Sequence, residues 1–185
     1  MNKKINVITL GCSKNLVDSE HLMAQLDEAG YEIVTDSNDT DAKIVVINTC
    51  GFIGDAKEEA ISTILECAAI KEERPELKII VTGCLSERYR ESIMEEMPEV
   101  DAVLGVGSFC EIVSAAEAVC DNRYMSSFGD QSGPIDETPR IITTGPSWAY
   151  LRIAEGCNNF CAFCAIPFIR GRYRSRAMEN ILEEA

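Results

Sequence analysis

Three cysteines stand close together late in the chain, in a pattern suited to binding a soft metal. Cys157, Cys161 and Cys164, here called the motif cysteines, have the spacing Cys-x3-Cys-x2-Cys, and Phe163 directly precedes the third. Iron–sulfur clusters are held by cysteine thiolates, most often by four of them. This run supplies only three, so a cluster bound here would keep one iron open to a ligand from outside the protein.

Zinc and unliganded cysteines are the two other interpretations of this run. Structural zinc normally takes four ligands, often from Cys-x2-Cys pairs, and no further Cys or His follows the motif cysteines. The bacterial ferredoxin run has Cys-x2-Cys-x2-Cys spacing, which also differs. The spacing favours a three-cysteine iron–sulfur cluster, and the other two interpretations stay open.

The composition limits the class of protein. The chain has 185 residues, of which 46% are hydrophobic, enough for one ordinary domain and part of another. A formal net charge of -14 disfavours a nucleic-acid-binding surface and suits a basic partner. Nine cysteines without an export signal indicate a reducing compartment, so we expect a cytoplasmic protein. No run reaches the roughly 18 apolar residues of a membrane span, and no membrane contact is expected.

Apolar runs alternate with amphipathic segments through the first 120 residues. This alternation predicts an α/β fold with a doubly wound parallel sheet and right-handed crossovers. The helices are expected at about 15–29, 55–73, 86–97 and 108–119. The strands are expected at Ile5–Leu10, Tyr31–Val34, Ile44–Ile47, Ile79–Val81 and Ala102–Leu104. A polar loop is expected from Thr35 to Ala42.

The sequence also predicts a division into domains. We assign residues 1–123 to an N-terminal domain, 124–146 to a linker rich in Gly, Ser and Pro, and 147–185 to the start of a second domain. Within the linker, Ile141 and Ile142 are a candidate edge strand. The second unit is expected to hold one strand, Ala149–Ala154, and one helix, Met178–Glu184. These cannot close a sheet, so we expect a truncated domain and a chain that does not catalyse alone.

Three further cysteines each follow the end of a predicted strand. Cys12, Cys50 and Cys84, here called the strand-end cysteines, each have a glycine beside them. The carboxyl ends of parallel strands share the sheet edge where ligands bind, so these three side chains are expected to converge. The sequence therefore predicts a second three-cysteine cluster site, called the auxiliary site below. Buried core cysteines are the alternative.

The remaining cysteines and the single histidine fit structural roles better. Cys67, Cys110 and Cys120 fall within predicted helices, as expected for buried core cysteines. His21 lies in the first predicted helix and is interpreted as a surface or packing residue, not as a metal ligand.

At this point the sequence resembles the methylthiotransferase family of radical S-adenosylmethionine enzymes. The motif cysteines with Phe163 match the superfamily pattern Cys-x3-Cys-x-aromatic-Cys. The run from Leu10 to Glu20, Leu-Gly-Cys-Ser-Lys-Asn-Leu-Val-Asp-Ser-Glu, resembles the branch of this family that modifies an aspartate of a ribosomal protein. The same branch is also resembled at Asn48–Ile53, at Arg170-Gly171 and at Arg174-Ser175-Arg176. The Gly-Cys-Gln-Met-Asn pattern of the tRNA branch is absent.

The resemblance implies a fold and a chemistry. It implies a methylthiotransferase N-terminal domain followed by the first strand–helix unit of a truncated, TIM-like radical barrel. It implies a 4Fe-4S cluster on the motif cysteines that cleaves S-adenosylmethionine to a radical, with Phe163 beside the cosubstrate. It implies an auxiliary 4Fe-4S cluster on the strand-end cysteines that presents sulfur. The product would be an aspartate of a small-subunit ribosomal protein carrying a methylthio group on its β-carbon.

The resemblance also implies partners, and two other functions stay open beside it. The partners would be an electron donor such as flavodoxin or ferredoxin, the ribosomal protein, and RNA contacted through a C-terminal domain outside these residues. One alternative is a tRNA adenosine methylthiotransferase, which has both cluster sites. The other is a non-enzymatic iron–sulfur module.

Four arginines alternate with other residues after the motif cysteines. Arg170, Arg172, Arg174 and Arg176 would share one face of an extended segment. They could bind the cosubstrate carboxylate, a phosphate or RNA. For most of them we favour a solvated loop that pairs with the acidic first domain.

Overall fold

A parallel sheet forms the centre of the molecule. The computed structural model describes residues 4–35, 41–135 and 137–185, so the predicted loop from Thr35 to Ala42 lies largely outside the described residues. Six described strands pair in parallel in the order β2-β1-β3-β4-β5-β6, which confirms the predicted α/β fold. Their bounds are β1 Lys4–Thr9, β2 Glu32–Thr35, β3 Ile44–Thr49, β4 Lys78–Gly83, β5 Ala102–Leu104 and β6 Met125–Ser127.

Helices cover both faces of this sheet. The strand β3 is buried along its whole length, because its apolar run packs against helices on each side. On one face, Leu22 and Leu26 pack with Ala115 against alternate strand residues. On the other face, Ala60 and Ile64 pack against the intervening ones. The helices are α1 Ser13–Glu28, α2 Gly54–Glu73, α3 Cys84–Arg88, α4 Arg90–Glu96 and α5 Ile112–Cys120.

Two predicted helices differ from the observed ones. The helix expected at 86–97 is divided at Tyr89, whose φ of -124° and ψ of 36° are not helical. The helix expected at 108–119 begins later, at Ile112, after a 3-10 helix over Val106–Glu111. The backbones of Gly107 and Gly129 touch there, and a Cβ at Gly107 would lie 2.4 Å from the Gly129 carbonyl oxygen. This contact depends on long-range packing that the local pattern does not encode.

The segment between the two predicted domains also differs from expectation. The strand β6 pairs with β5, although residues 124–146 were expected to form a linker. The sequence does not indicate this strand, because Met-Ser-Ser lacks the β-branched and aromatic residues typical of strands. Ile141 and Ile142, both within the described residues, do not form the predicted edge strand. Instead, the Ile141 amide donates to the Glu20 carbonyl oxygen at 3.1 Å. The domain boundaries themselves stay a prediction.

The last 40 residues form short elements. Strand β7, Ala154–Glu155, pairs antiparallel with β8, Arg174–Ser175, and the helices α6, Ile166–Ile169, and α7, Met178–Glu184, lie between and after them. The predicted helix at 178–184 is confirmed. The predicted strand Ala149–Ala154 is wrong except at its last residue, because a strand needs a paired neighbour and pairing starts only at Ala154. No helix among the described residues is long and apolar enough to cross a membrane.

Candidate functional site

The strand-end cysteines lie at one edge of the sheet. The strands β1, β3 and β4 are parallel neighbours. Cys12 follows β1 after two residues, while Cys50 and Cys84 directly follow β3 and β4. Because Thr49 is paired with Gly83, the two next residues, Cys50 and Cys84, leave neighbouring strands at the same level of the sheet. This is the edge where open parallel sheets bind ligands.

One buried asparagine contacts all three cysteine-bearing segments. The Asn15 side chain, in the first turn of α1, donates from Nδ2 to the carbonyl oxygens of Leu10 and Thr49, each at 2.9 Å. Its Oδ1 lies 4.0 Å from Cys12 Sγ and 3.6 Å from Cys84 Sγ. Asn15 is fully buried, so these bonds are shielded from water and fix the positions of the segments relative to one another.

A glycine makes room for the middle cysteine. Gly11 has a φ of +92°, and a Cβ there would lie 2.5 Å from Cys50 Cβ and 3.0 Å from Cys50 Sγ. Only glycine combines this backbone conformation with so close an approach. Cys12 and Cys50 both line an open depression of about 590 Å³, together with Phe52 and other residues.

Gly11→Ala is expected to destabilise the protein and to displace Cys50. Two effects combine, left-handed backbone strain of about 1–3 kcal/mol and the contact with Cys50. Gly30→Ala is the matched control, because Gly30 has a φ of +83° but nothing within 4 Å of the added Cβ. Urea unfolding of both variants measures the difference. If Gly11→Ala cost no more than Gly30→Ala, the close approach to Cys50 would have no energetic meaning.

A buried arginine from the C-terminal segment reaches this same edge. The Arg170 side chain is 2% exposed. Its Nη2 donates to Asn15 Oδ1 at 2.8 Å and to Cys84 Sγ at 3.3 Å. Its Nη1 donates to Asp18 Oδ2 at 2.6 Å and lies 3.4 Å from Glu155 Oε2. One guanidinium thus contacts a strand-end cysteine, the asparagine that links the three segments, and two carboxylates.

These contacts shift the protonation of the buried groups. Burial raises the pKa of the Cys84 thiol, and the Arg170 charge opposes that rise. Burial alone would raise the pKa of Glu155, but the charges of Arg170 and Lys14 outweigh it and hold this pKa below its ordinary value. Burial acts to lower the pKa of Arg170, but the Asp18 carboxylate raises it well above its ordinary range. Arg170 is therefore a permanent buried cation.

The same charges connect α1 to the C-terminal segment. Asp18, whose side chain is 1% exposed, accepts from Arg152 on its other oxygen at 2.6 Å. Glu155 accepts from Lys14 at 3.2 Å and lies 3.6 Å from Arg152. Buried charges persist only when they are paired and hydrogen-bonded, so this network fixes the C-terminal segment against α1.

The interpretation of the four arginines as a solvated loop is wrong for two of them. Arg170 and Arg176 are buried, while Arg172 is exposed and Arg174 half-buried. The expected pairing with the acidic first domain holds for Arg170 through Asp18. Arg176 pairs instead with Glu137 and Glu184. The four do not share one face, because Arg170 directly follows helix α6 and, of the four, only Arg174 lies in a strand.

The motif cysteines lie in the loop between β7 and α6. The Cys157 amide donates to the Gly171 carbonyl oxygen at 3.1 Å, and the Cys164 amide donates to the Cys161 carbonyl oxygen at 3.0 Å. Gly156, with a φ of +74°, precedes the first of them, and a Cβ there would lie 2.2 Å from a carbonyl oxygen of the returning chain. The loop is thus held at its base by a close backbone contact.

The loop presents its side chains outward. Cys161 is exposed and Cys157 and Cys164 are half-buried, while Phe163 is 89% exposed. Among the described residues, no group of three or more His, Cys, Asp or Glu side chains stands in an arrangement that could hold a metal ion. The donor set fits an iron–sulfur cluster at each place, since three soft thiols lie together in sequence or along one edge. The assignment of both cysteine sets as ligands stays a prediction.

Four residues outside these sets can be placed as well. Cys67 is buried in α2, as expected, but Cys110 and Cys120 are exposed. The interpretation of these last two as core cysteines is wrong, because they lie on the outer side of their helices. His21 is buried on α1, with Nδ1 at 3.4 Å from Thr138 Oγ1, which is a packing position.

The fold and the site together describe a parallel α/β protein with a cysteine after each of three adjacent strands. Residues 4–105 match the uncharacterized protein family UPF0004, and the chain belongs to that family. It is 50% identical over 184 residues to the ribosomal protein uS12 methylthiotransferase RimO of Thermoanaerobacter sp. (strain X514), covering 99% of this chain and 42% of that protein. With the enzyme of the same name from Bacteroides thetaiotaomicron it shares 48% identity, covering 98% of this chain and 39% of that protein.

These relatives confirm the family that the motifs indicated, and the chain spans about two fifths of their length. A solved structure is similar in fold. It is the radical S-adenosylmethionine methyltransferase TsrM from Kitasatospora setae, with a TM-score of 0.63 and 13% identity, covering 98% of this chain and 44% of that one.

Proposed function

We propose that this chain is part of a radical S-adenosylmethionine methylthiotransferase that modifies a small-subunit ribosomal protein. The product would be an aspartate with a methylthio group on its β-carbon. The observation that carries the proposal is the 45–50% identity, over nearly the whole chain, to proteins named uS12 methylthiotransferase. A reducing cytoplasm, where free thiols persist, and an electron donor such as flavodoxin or ferredoxin belong to the same proposal.

The two cysteine sets would hold the two 4Fe-4S clusters. When bound, these groups supply the electron that cleaves S-adenosylmethionine at the motif cysteines and the sulfur at the strand-end cysteines. The chain's own residues then bind and orient. Asn15 ties the three strand-end segments together, and Gly156 closes the base of the motif loop. Exposed Phe163 is free to pack on the cosubstrate.

Charge supports a protein substrate over tRNA. The formal net charge of -14 repels a polyanion and attracts a basic ribosomal protein. The exposed positive charges of the C-terminal segment are few, because Arg170, Arg152 and Arg176 are buried in ion pairs. The chain therefore offers nucleic acid no obvious cationic surface within its described residues.

A direct assay tests the proposal. The full-length protein, reconstituted anaerobically with iron and sulfide, is expected to convert uS12 with S-adenosylmethionine and a reductant. Mass spectrometry of the digested substrate should show one aspartate in which a methylthio group replaces a hydrogen. Cys12→Ala and Cys157→Ala should each abolish this product, whereas Cys120→Ala, which changes an exposed cysteine at the end of α5, should not. Modification of a tRNA adenosine without modification of uS12 would overturn the substrate assignment.

A further inference from the structure

Arg170 belongs in sequence to the segment of the motif cysteines but in space to the auxiliary site. It follows Cys164 by six residues, yet its guanidinium lies against Cys84 and Asn15 at the edge of the sheet. The C-terminal segment therefore reaches the auxiliary site through this buried side chain. The auxiliary site is incomplete without a group from the C-terminal segment.

The geometry shows more than an ion pair. Asp18 already accepts from Arg152 at 2.6 Å on one oxygen and from Arg170 Nη1 at 2.6 Å on the other. The second nitrogen of Arg170 is turned away from both carboxylates, toward Cys84 Sγ at 3.3 Å. A planar guanidinium can hold both directions at once, which an ammonium group on a flexible stem cannot. Asn15 Oδ1, at 2.8 Å, fixes the same nitrogen.

We propose that Arg170 is a positioning residue of the auxiliary site, one that donates an N–H···S hydrogen bond to the Cys84 sulfur and so sets the reduction potential of the cluster held there. This inference rests on the proposed function. Hydrogen bonds to ligand sulfurs and buried positive charge both stabilise the more negative, reduced form of an iron–sulfur cluster. Losing the bond is therefore expected to make the potential more negative.

The test isolates the auxiliary cluster. In the full-length protein the three motif cysteines are changed to alanine, which leaves one cluster site, and this parent is reconstituted anaerobically. The potential is measured by redox titration followed by electron paramagnetic resonance. Arg170→Gln should shift it to a more negative value and weaken cobalt(II) binding to the metal-free thiols about 10- to 100-fold, as the loss of an outer-shell partner does. Arg170→Lys, which keeps the charge, should restore the reduction potential and the cobalt(II) affinity only in part.

Arg172→Gln is the matched control, because Arg172 is exposed and its guanidinium lies 5.6 Å from the Phe160 ring centroid, outside the auxiliary site. It should leave the potential and cobalt affinity unchanged. If the potential and resonance spectrum of Arg170→Gln matched those of the parent, the inference would be wrong although the cluster was present. A parent that bound no iron would overturn the proposed function as well.

A second pair of variants separates the hydrogen bond to the Cys84 sulfur from the loss of the ion pair with Asp18. Arg170→Gln leaves Asp18 with one cationic partner fewer, so the comparison is repeated in an Asp18→Asn background, which removes that carboxylate. Arg170→Gln/Asp18→Asn should still have a more negative potential than Asp18→Asn alone, because only the former lacks the bond to sulfur. Equal potentials in this pair would show that Arg170 acts only through Asp18 and would overturn the inference.

Discussion

Alanine at any one of the three strand-end cysteines is expected to abolish the auxiliary cluster and to spare the other. The reconstituted full-length protein should then lose about half of its iron, because each 4Fe-4S cluster needs its cysteine thiolates to assemble. The auxiliary cluster should be lost completely even in Cys84→Ala, although Cys84 is buried, since the two remaining thiols cannot hold it. Iron and sulfide analysis with the visible absorption of each variant measures the result.

Cys67→Ala is the control for this prediction. Cys67 is also a buried thiol, but it lies within α2, and burial raises its pKa to about 11. Cys67 packs in the core on one face of the sheet, whereas the strand-end cysteines lie at its carboxyl edge. The change should cost roughly 1 kcal/mol or less and leave the iron content intact. If Cys67→Ala lost iron and Cys84→Ala kept it, the assignment of the strand-end cysteines as ligands of the auxiliary cluster would be wrong.

The sheet and the placement of the strand-end cysteines could be predicted because both depend on local pattern and one topological rule. The run Ile44–Ile47 can only be a strand buried on both faces, and strands that alternate with helices pair in parallel. Once β1, β3 and β4 are parallel neighbours, residues that follow them must lie on one edge. Errors occurred where a segment depends on a distant partner, as for β6, which carries no strand pattern of its own.

The role of Arg170 could not be predicted for the same reason. Its partners Asn15 and Asp18 lie more than 150 residues earlier in the chain, and four evenly spaced arginines are typical of a solvated surface. One signal was present in α1. Asn15 and Asp18 stand seven and four residues before Leu22, on the face that this helix buries. Polar residues on a buried face need buried partners, which points to a charge arriving from elsewhere.

Asp18→Ala is expected to destabilise the protein by about 3–5 kcal/mol, the cost of removing one partner from a buried ion pair. The change leaves Arg170 and Arg152 without the carboxylate that each contacts at 2.6 Å, and both side chains are shielded from water. Glu155 lies farther from each, at 3.4 and 3.6 Å, and already accepts from Lys14, so it offsets only part of the loss. Urea unfolding of the metal-free protein measures the effect.

The exposed ion pair between Asp121 and Arg123 provides the matched control. Its atoms are 3.2 Å apart, but both side chains are about two thirds exposed, and such pairs contribute little because water and salt screen them. Asp121→Ala should therefore change the free energy of unfolding by less than about 1 kcal/mol. A double-mutant cycle of Asp18→Ala with Arg170→Ala should show a coupling free energy of about 0.5–3 kcal/mol, as for residues in one network. If Asp18→Ala cost no more than Asp121→Ala, the buried network would not hold the C-terminal segment to α1.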